Sequence, residues 1–494
     1  MELFSFLFSS PFGLLLTTLI IIGVLKFVAL MHRVYFYWRS KGVPYLPDSL
    51  WSLVMGWKVL LRRLSLADHS LFMYNYFPNA KYCGMMEFTA PAVLLRDPEL
   101  IKDVMVKDFE IFHDHRSFVH ESVDPLFSKN IFSLRGDRWR EMRNTLSPSF
   151  TASKMKIMFD LVSKCSREFI NFLVDHPEMY AAIETKQIFR RYTTDVIATT
   201  AFGISVNSMQ DSNNEFYVKG MEVTKVFSEF LTMFKFMFMY IFPRFAKLLG
   251  MTGFSSRSTV EFFKRIVGET IKIREEQGIV RPDMIQLLMQ ARDKNDPSVH
   301  KMTLDDIVSQ AFIFFFAGFD TTSTLMCFIA HELAINREIQ DRVREEVQQH
   351  TLRKYPPMIV IDRTCNKSYE LPPSQPGCKS VIVEPGSTMI ISVYGLHRDS
   401  KYFPNPDKFD PERFSEENKN NIVPYTYLPF GHGPRKCLGN RFVLMETKIV
   451  IAHLLQKFIL KKTEKTVDSV VYDKKEFNLT PEGGFWIGLE KIEE

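Results

Sequence analysis

The sequence is poor in several features that define common protein classes. Its 494 residues include 6 cysteines, and none of them forms a Cys-x-x-Cys pair or another metal-site spacing. The cysteines therefore predict reduced cytosolic thiols rather than a disulfide framework. Neither sign of charge dominates, because the chain has 62 basic and 57 acidic residues. This balance argues against a nucleic-acid-binding protein and leaves open a local basic patch for an acidic protein partner.

An internal repeat, a low-complexity tract and a flexible linker are missing too. Length alone would divide such a chain into about three domains, but without a linker we expect one large body. Hydrophobic residues make up 46% of the chain, which is enough for a large core. The 45 phenylalanines and 24 methionines are explained either by core filling or by an adaptable apolar pocket, and both interpretations stay open.

Charged residues are absent from Leu3 to Leu25, a segment long enough to span a bilayer. Glu2 precedes it, and four basic residues follow it: Lys26, Arg33, Arg39 and Lys41. The positive-inside rule predicts that the body faces the cytosol. A cleaved signal peptide is the weaker alternative, because a basic n-region and a clear cleavage site are missing.

The chain is therefore divided into an anchor or transmembrane helix (1–33), a basic and proline-rich hinge (34–50) and a catalytic body (51–494). Helical periodicity dominates residues 99–349 and returns from Arg441 to Phe458. Short apolar runs at 92–97, 358–361, 380–383 and 389–393 are typical of strands. The predicted fold class is mainly α with small β-sheets.

One cysteine, Cys437, lies in the run FGHGPRKCLG at 430–439, just before the predicted C-terminal helix. Basic neighbours and a helix N-terminus both lower a thiol pKa, so we expect a thiolate here. A thiolate is a strong electron donor to iron and, in haem proteins, favours cleavage of the O–O bond. An inert buried cysteine in a glycine-rich turn is the alternative.

This run resembles the FxxGxRxCxG haem-binding signature of the cytochrome P450 superfamily at every fixed position. The resemblance implies a single helix-rich prism, haem b (iron protoporphyrin IX) as cofactor and Cys437 as the metal ligand. We expect Arg435 to bind a haem propionate by a charge-assisted bond. Phe430 would pack beside the sulfur, and Gly433 and Gly439 would allow the backbone to approach the porphyrin.

A second motif, AGFDTT at 317–322, lies within a helix predicted from about Leu304. An acid followed by an alcohol in an apolar helix is costly unless it is used. The motif resembles the oxygen-activation pattern of the same superfamily, which implies that Asp320 and Thr321 relay protons to iron-bound dioxygen. A satisfied buried aspartate is the alternative. Four residues share one helix face by spacing: Ile313, Phe316, Ala317 and Thr321. The predicted substrate pocket is lined by Phe118, Ile313, Phe316 and Ala317.

Further haem contacts are predicted on other segments. Trp139 and Arg143 are one helical turn apart and would clamp a propionate together. Arg363 matches a position that often binds a propionate in the resembled family. His115 stands where some relatives have an arginine.

The run PDKFDPERF at 406–414 resembles the PxxFxPxRF motif in full. The resemblance implies that Arg413 joins a buried ion network with the ExxR helix; a surface turn with a solvated arginine is the alternative. The ExxR motif itself is broken, because Arg353 is present while His350 stands at the glutamate position. A connector and a further helix that relatives have after the equivalent of Glu346 are also missing. This join predicts a lost exon or an incomplete gene model, and poor haem incorporation or none.

Together the motifs predict a haem-thiolate monooxygenase most similar to insect microsomal toxin-metabolising P450 enzymes. It would be anchored in the endoplasmic reticulum membrane and insert one oxygen atom from O2 into lipophilic small molecules. Expected partners are membrane lipid and NADPH-cytochrome P450 reductase, with Lys436 and Arg140 as candidate docking charges. The alternatives are a catalytically dead, haem-poor scaffold and a haem-thiolate isomerase or dehydratase. The aromatic segment 233–242 fits either a helix core or a second membrane contact.

Overall fold

The fold is known from a computed structural model, which describes most of the chain. The described residues are 11–46, 50–87, 90–117, 121, 123–229, 231–232, 235, 238–239, 242–251, 253, 255–293, 301–342 and 345–493. Four predictions fall wholly or partly outside them: the pocket residue Phe118, the start of the predicted anchor, the part of the predicted hinge at 47–49 and much of the aromatic segment 233–242.

Helices dominate the described residues, as the periodicity predicts. In chain order they are α1 (Pro11–Ser40), α2 (Leu50–Leu60), α3 (Leu66–Asn75), α4 (Pro98–Lys102), α5 (Pro125–Ser128), α6 (Gly136–Leu146), α7 (Ala152–Asp175), α8 (Thr185–Ile197), α9 (Glu215–Ser228), α10 (Pro243–Leu248), α11 (Arg257–Gln277), α12 (Met284–Asp293), α13 (Leu304–Ile335), α14 (Arg337–Asp341), α15 (Glu345–Lys354), α16 (Val393–Leu396) and α17 (Asn440–Lys457). Single 3-10 or π turns extend several of them, including Asp103–Lys107 after α4 and Ser147–Phe150 after α6.

The strands form small sheets at the edge of the helical body. They are β1 (Tyr45–Leu46), β2 (Tyr82–Glu87), β3 (Ala90–Leu95), β4 (Ile183–Glu184), β5 (Val360–Thr364), β6 (Tyr369–Leu371), β7 (Val381–Val383), β8 (Thr388–Ser392), β9 (Phe458–Lys461) and β10 (Trp486–Lys491). The described strands make a five-stranded sheet β1-β2-β3-β8-β5, a three-stranded sheet β4-β10-β9 and the pair β6-β7. In the larger sheet β3 and β8 are parallel, whereas β8 and β5 are antiparallel.

The centre of the body is α13, which packs against α8, α5 and α11. The helix begins at a capping box in which Thr303 and Asp306 satisfy each other's backbone N–H groups. Its apolar side chains belong to two large clusters of buried residues, so it is buried on nearly all sides. Gly318 allows close packing with α8, because a Cβ there would lie 2.8 Å from Cδ1 of Ile197.

The N-terminal helix α1 extends past the predicted boundary at residue 33 and ends at Ser40, before Gly42 adopts a left-handed backbone with φ of 69°. Its last turn is docked on the body: Trp38 is buried, and its indole nitrogen donates a hydrogen bond to the carbonyl of Met85. β1 then pairs with β2. Part of the predicted hinge is thus integrated into the larger sheet.

Among the described residues, one helix has the length and apolarity needed to cross a membrane, and it is α13 rather than α1. Some 72% of its apolar window is buried inside the protein. α1 exposes several large apolar side chains, including Leu15, Ile21 and Leu25.

Candidate active site

A cavity of about 370 Å³ lies between α13 and the loop that precedes α17. Twelve residues singled out from the sequence line it: His115, Trp139, Arg143, Ile313, Ala317, Thr321, Arg363, Phe430, Arg435, Lys436, Cys437 and Gly439. They come from segments separated by up to hundreds of residues. The fold therefore brings the predicted cysteine loop, the oxygen-motif helix and the predicted arginines to one place.

The loop before α17 presents Cys437 to this cavity. Gly431 and Gly433 adopt left-handed backbone conformations with φ of 67° and 70°, and the Cys437 N–H donates to the carbonyl of Phe430 at 2.9 Å. The two left-handed glycines and this hydrogen bond fold the loop back on itself. Although the cysteine side chain is exposed, it is exposed into the cavity, and protein surrounds it.

Within the protein itself, the surroundings of Cys437 oppose the expected thiolate. Burial raises the pKa of this thiol above its usual value. The Gly439 N–H and the nearby cations of Arg143 and Lys436 lower the pKa, but they offset only part of the effect of burial. The thiolate therefore requires a bound metal cation, which deprotonates a coordinating thiol outright.

Arg435 lines the cavity and is held by backbone oxygens and by Asp114, whose Oδ1 lies 3.5 Å from its Nη2. Its Nε donates to the carbonyl of His113 at 2.8 Å, and its Nη2 donates to the carbonyl of Leu134 at 2.8 Å. The guanidinium also lies 4.1 Å from the ring centre of Trp139. Burial, followed by the charge of Arg363, lowers the pKa of Arg435 to about 9. The site thus has an excess of positive charge.

Arg363 adds to that excess. Its side chain is 1% exposed, and Nη1 donates to the carbonyl of Asp362 at 2.7 Å. Its Nε has no hydrogen-bond partner among the described residues, and burial lowers its pKa to about 10. A buried guanidinium with an unsatisfied donor is costly, so this wall of the cavity is suited to an anionic group.

Arg143 and His115, the other two residues predicted to contact an anion, are hydrogen-bonded to different groups. Arg143 donates from Nη2 to the carbonyl of Lys436 at 2.9 Å, which ties α6 to the cysteine loop. His115 donates from Nδ1 to Asp362 at 3.2 Å. Burial lowers the pKa of His115 despite this carboxylate, so the imidazole is neutral.

On the opposite wall, α13 contributes a narrow stripe of side chains. Ile313, Ala317 and Thr321 recur every four residues and line the cavity. The Thr321 hydroxyl donates to the carbonyl of Ala317 at 2.5 Å. The prediction for Phe316 is wrong, because its ring stacks on Phe312 at 6.1 Å and does not line the cavity.

The side chains of Asp320 and its predicted partner Thr321 lie on different sides of α13. Its carboxylate forms ion pairs with Arg190 at 2.7 Å and Lys186 at 3.0 Å, and it accepts a hydrogen bond from Asn478. Asp320 is buried and does not line the cavity. Burial raises its pKa, but Lys186 and Arg190 outweigh burial and hold the pKa well below its usual range.

These three partners of Asp320 were not predicted from the sequence. Lys186 and Arg190 lie on α8, and Asn478 precedes β10, so more than a hundred residues separate each from the aspartate. No local pattern marks them. The only signal was the cost of burying a carboxylate, which requires a cation somewhere in the fold.

The two glycines of the loop have different roles. Gly439 lines the cavity, and a Cβ there would meet its nearest neighbour, Phe150, at 3.9 Å. At Gly433 a Cβ would lie 2.0 Å from the carbonyl oxygen of Met105. Gly433 does not line the cavity, and its missing side chain admits the Met105 backbone.

The broken ExxR motif lies on α15, where Leu352 lines the cavity and Arg353 does not. Arg353 is fully buried and donates to the carbonyls of His397 at 2.7 Å and Pro406 at 2.6 Å. His350 lies 3.2 Å from Arg353 and is neutral, because burial and nearby cations keep its pKa well below the usual value. Arg413 donates to the carbonyl of Asn405. This bond does not replace the missing carboxylate.

Comparison with known proteins decides the family. The cytochrome P450 family profile matches residues 53–351 and 349–487. The chain belongs to the cytochrome P450 family. It is 46% identical over 505 positions to cytochrome P450 9e2 of Blattella germanica, covering 91% of this chain and 92% of that protein. It is also 39% identical to probable cytochrome P450 9f2 of Drosophila melanogaster, covering 92% and 94% of the two chains.

These matches confirm a cytochrome P450 monooxygenase that binds haem b. The helix-rich architecture with small sheets is consistent with the P450 fold. The donor set of the cavity fits the cofactor, since a cysteine sulfur faces it together with buried arginines, one of which has an unsatisfied Nε. Haem supplies iron for the sulfur and two carboxylates for the arginines.

The same comparisons mark an interruption at α15. The two matched segments of the family profile meet at residues 349–351, where the sequence predicted a missing segment. The alignment with the Blattella germanica protein runs over 505 positions, more than the 494 residues of this chain, although it covers 91% of the chain. Several dozen aligned positions therefore lie opposite gaps in this P450.

Proposed function

We propose that Cys437 is the iron ligand and that this P450 inserts one oxygen atom from O2 into lipophilic small molecules. The observation that carries this proposal is the convergence of Cys437, Arg363 and Thr321 on one cavity. When bound, haem supplies the iron chemistry that activates O2. The remaining steps depend on the side chains around the cofactor.

The arginine wall would orient the cofactor. Arg363 and Arg435 present charge at one side of the cavity, and Trp139 and Arg143 lie beside them. Binding of two propionates would give the Nε of Arg363 an acceptor and offset the burial that lowers the pKa of both guanidiniums. It would also neutralise part of the charge of Arg363, which lowers the pKa of Arg435 further. The electrostatic cost of the buried arginines thus favours binding of an anionic cofactor.

Thr321 is placed to deliver a proton at its Oγ1. The hydroxyl lies in the cavity wall and now donates to the Ala317 carbonyl, so rotation about χ1 would free it for a ligand or a water. Asp320 acts at a distance in this proposal. Its ion pairs with α8 hold the helix in register, and a proton from bulk water would have to reach Thr321 by another path.

Substrates are expected to be apolar. Ile313, Phe314, Ala317 and Ile197 give the cavity an aliphatic and aromatic wall that excludes water. This surface resembles the pockets that bind lipophilic xenobiotics or endogenous lipids, as expected for an insect toxin-metabolising P450.

The proposed function also includes a membrane anchor and a reductase partner. The exposed apolar side chains of α1 support an N-terminal anchor in the endoplasmic reticulum membrane, with the body in the cytosol. NADPH-cytochrome P450 reductase would dock near Cys437, where Lys436 is exposed. Arg140 is a weaker docking candidate, because it already pairs with Asp137 and Glu110.

The reduced, CO-bound absorption spectrum of the full-length protein tests the iron ligand. We expect a thiolate-type Soret band for the unaltered chain and its loss in Cys437→Ser. Cys378→Ser is the matched control, because that free cysteine is partly exposed and does not line the cavity. Retention of the band in Cys437→Ser would contradict the proposal.

A haem-poor scaffold is the competing function. The comparisons do not favour it; its motivation is that Arg353 has no carboxylate partner among the described residues. A chain that folds but shows no haem band before any mutation supports the scaffold. Recovery of the band when the relatives' segment is inserted at residues 349–351 would then assign the defect to the missing segment.

A further inference from the structure

Three arginines gather where α15 meets residues 405–414: Arg353, Arg398 and Arg413, called here the arginine cluster. Arg353 and Arg413 donate to the adjacent carbonyls of Pro406 and Asn405. Arg398 donates to the carbonyl of Lys354 at 2.6 Å. The guanidinium of Arg353 is fully buried, and the side chain of Arg398 is 7% exposed.

Little negative charge balances the arginine cluster. Asp407 lies 3.9 Å from Arg398, but its side chain is 91% exposed. Asp410 lies 4.0 Å from Arg413 and is also partly exposed. Within the part of the chain that the structure describes, Arg353 bonds only to backbone carbonyls and to His350. Within the described residues, none of the three arginines pairs with a buried carboxylate. The buried Glu332 pairs with Lys354 instead.

The same site has more hydrogen-bond donors than acceptors. Nε of Arg353, Nε of Arg413 and Nη1 of Arg398 have no partner among the described residues. His350 adds a fourth donor. Its Nε2 accepts from the Asp410 N–H at 3.2 Å and faces Arg353, which leaves the proton on Nδ1, and Nδ1 has no described partner.

We propose that the arginine cluster binds a small inorganic anion, such as chloride, in the place of a carboxylate that this chain lacks. An anion would supply both the missing negative charge and the missing acceptor. It must be small, because Arg353 and His350 are fully buried and α15 packs directly on the 405–414 segment. The proposal concerns stability and does not depend on the proposed chemistry at Cys437.

Two substitutions at His350 separate charge from shape. His350→Glu places a carboxylate one helical turn from Arg353, on the side where Nε2 now lies 3.2 Å from Nη2. It therefore replaces the anion. His350→Gln is the matched control, because it is similar in length and neutral and leaves the charge of the site unchanged.

The measurement is the midpoint of thermal unfolding of the full-length protein across a sodium chloride series, with ionic strength held constant by sodium gluconate. The unaltered protein and His350→Gln are expected to gain about 1–2 °C for each tenfold rise in chloride. His350→Glu is expected to start higher in gluconate and to respond little. A flat response in the unaltered protein, or equal slopes in all three proteins, would overturn the proposal.

A second measurement needs no variant. Crystals of the unaltered protein grown with sodium bromide are expected to show an anomalous peak among Arg353, Arg398 and Arg413. Diffraction data with no bromide peak in the arginine cluster would overturn the proposal even if His350→Glu failed to fold. Neither readout uses turnover, so a failure of the monooxygenase proposal would be recognised separately by the CO spectrum.

Discussion

Oδ1 of Asp320 lies 2.7 Å from Nη2 of Arg190, and this ion pair fastens the central helix α13 to α8. Lys186 joins the same carboxylate at 3.0 Å. The next residue, Thr321, faces the cavity. A buried charge network on one side of the helix thus holds in place the hydroxyl on the other side.

Asp320→Asn is expected to destabilise the fold, because it leaves two buried cations without their carboxylate. The loss should be about 3–5 kcal/mol in the free energy of unfolding, measured by urea denaturation. Asp305→Asn is the control on the same helix, since its ion pair with Lys264 at 2.9 Å is about half exposed and should contribute about 0–1 kcal/mol. Equal losses in both variants would contradict a structural role for Asp320.

Thr321→Ala should lower product formation without removing haem. Loss of a positioned proton donor typically costs about 10²-fold in rate, and Thr321→Ser should restore most of it because the hydroxyl returns. The measurement is product formed per NADPH oxidised at matched haem content. Thr322→Ala is the control, because Thr322 is buried and does not line the cavity. An unchanged ratio in Thr321→Ala would exclude the proposed role.

Arg363→Met should have opposite effects on haem and on the haem-free fold. It removes a propionate partner, so haem affinity should fall by about tenfold, equivalent to one charge-assisted bond. It also removes an unsatisfied buried guanidinium, so the haem-free protein should be as stable as before or more stable. Haem titration and thermal unfolding measure the two effects. Arg265→Met, at an exposed pair with Glu215, should change neither; a loss of haem-free stability in Arg363→Met would contradict the assignment.

Gly433→Ala tests the close approach of the cysteine loop to Met105. Gly386 provides the comparison, because its φ is also positive while nothing lies within 4 Å of a Cβ built there. Gly386→Ala should cost about 1–2 kcal/mol for the left-handed backbone alone. Gly433→Ala should cost about 1–3 kcal/mol more from the clash with the Met105 carbonyl. Denaturation of both variants measures the difference, and equal costs would show that the loop yields without penalty.

The raised pKa of Asp195 predicts that the free energy of unfolding falls as the pH rises toward neutral. Burial raises its pKa to about 7, although the Ser208 N–H at 2.9 Å partly opposes burial. The folded state therefore binds a proton that the unfolded state has already lost. Stability should be greatest below the unfolded pKa and should fall, by up to about 1.4 kcal/mol per pH unit, as the pH rises toward 7. Asp195→Asn should flatten this slope in unfolding experiments across pH; an unchanged slope would assign it to another group.

Much of the fold was predictable because local patterns report local structure. The strand predicted at 92–97 appears at Ala90–Leu95, and the helix predicted from Arg441 to Phe458 appears at Asn440–Lys457. The cysteine loop and the oxygen motif were predictable for the same reason, since each is a short contiguous run. The position of Phe316 was not, because helical spacing places it near the cavity face while its ring packs on Phe312.

The amino-acid sequence by itself determined the family, the candidate iron ligand and the loss of a glutamate beside Arg353, since each is a matter of residue identity along one stretch of chain. Only the tertiary structure decided the charge states. Burial overrides the basic neighbours of Cys437, whereas Lys186 and Arg190 override burial at Asp320. Desolvation and Coulomb energy depend on distances in space, and residues far apart in the chain set those distances.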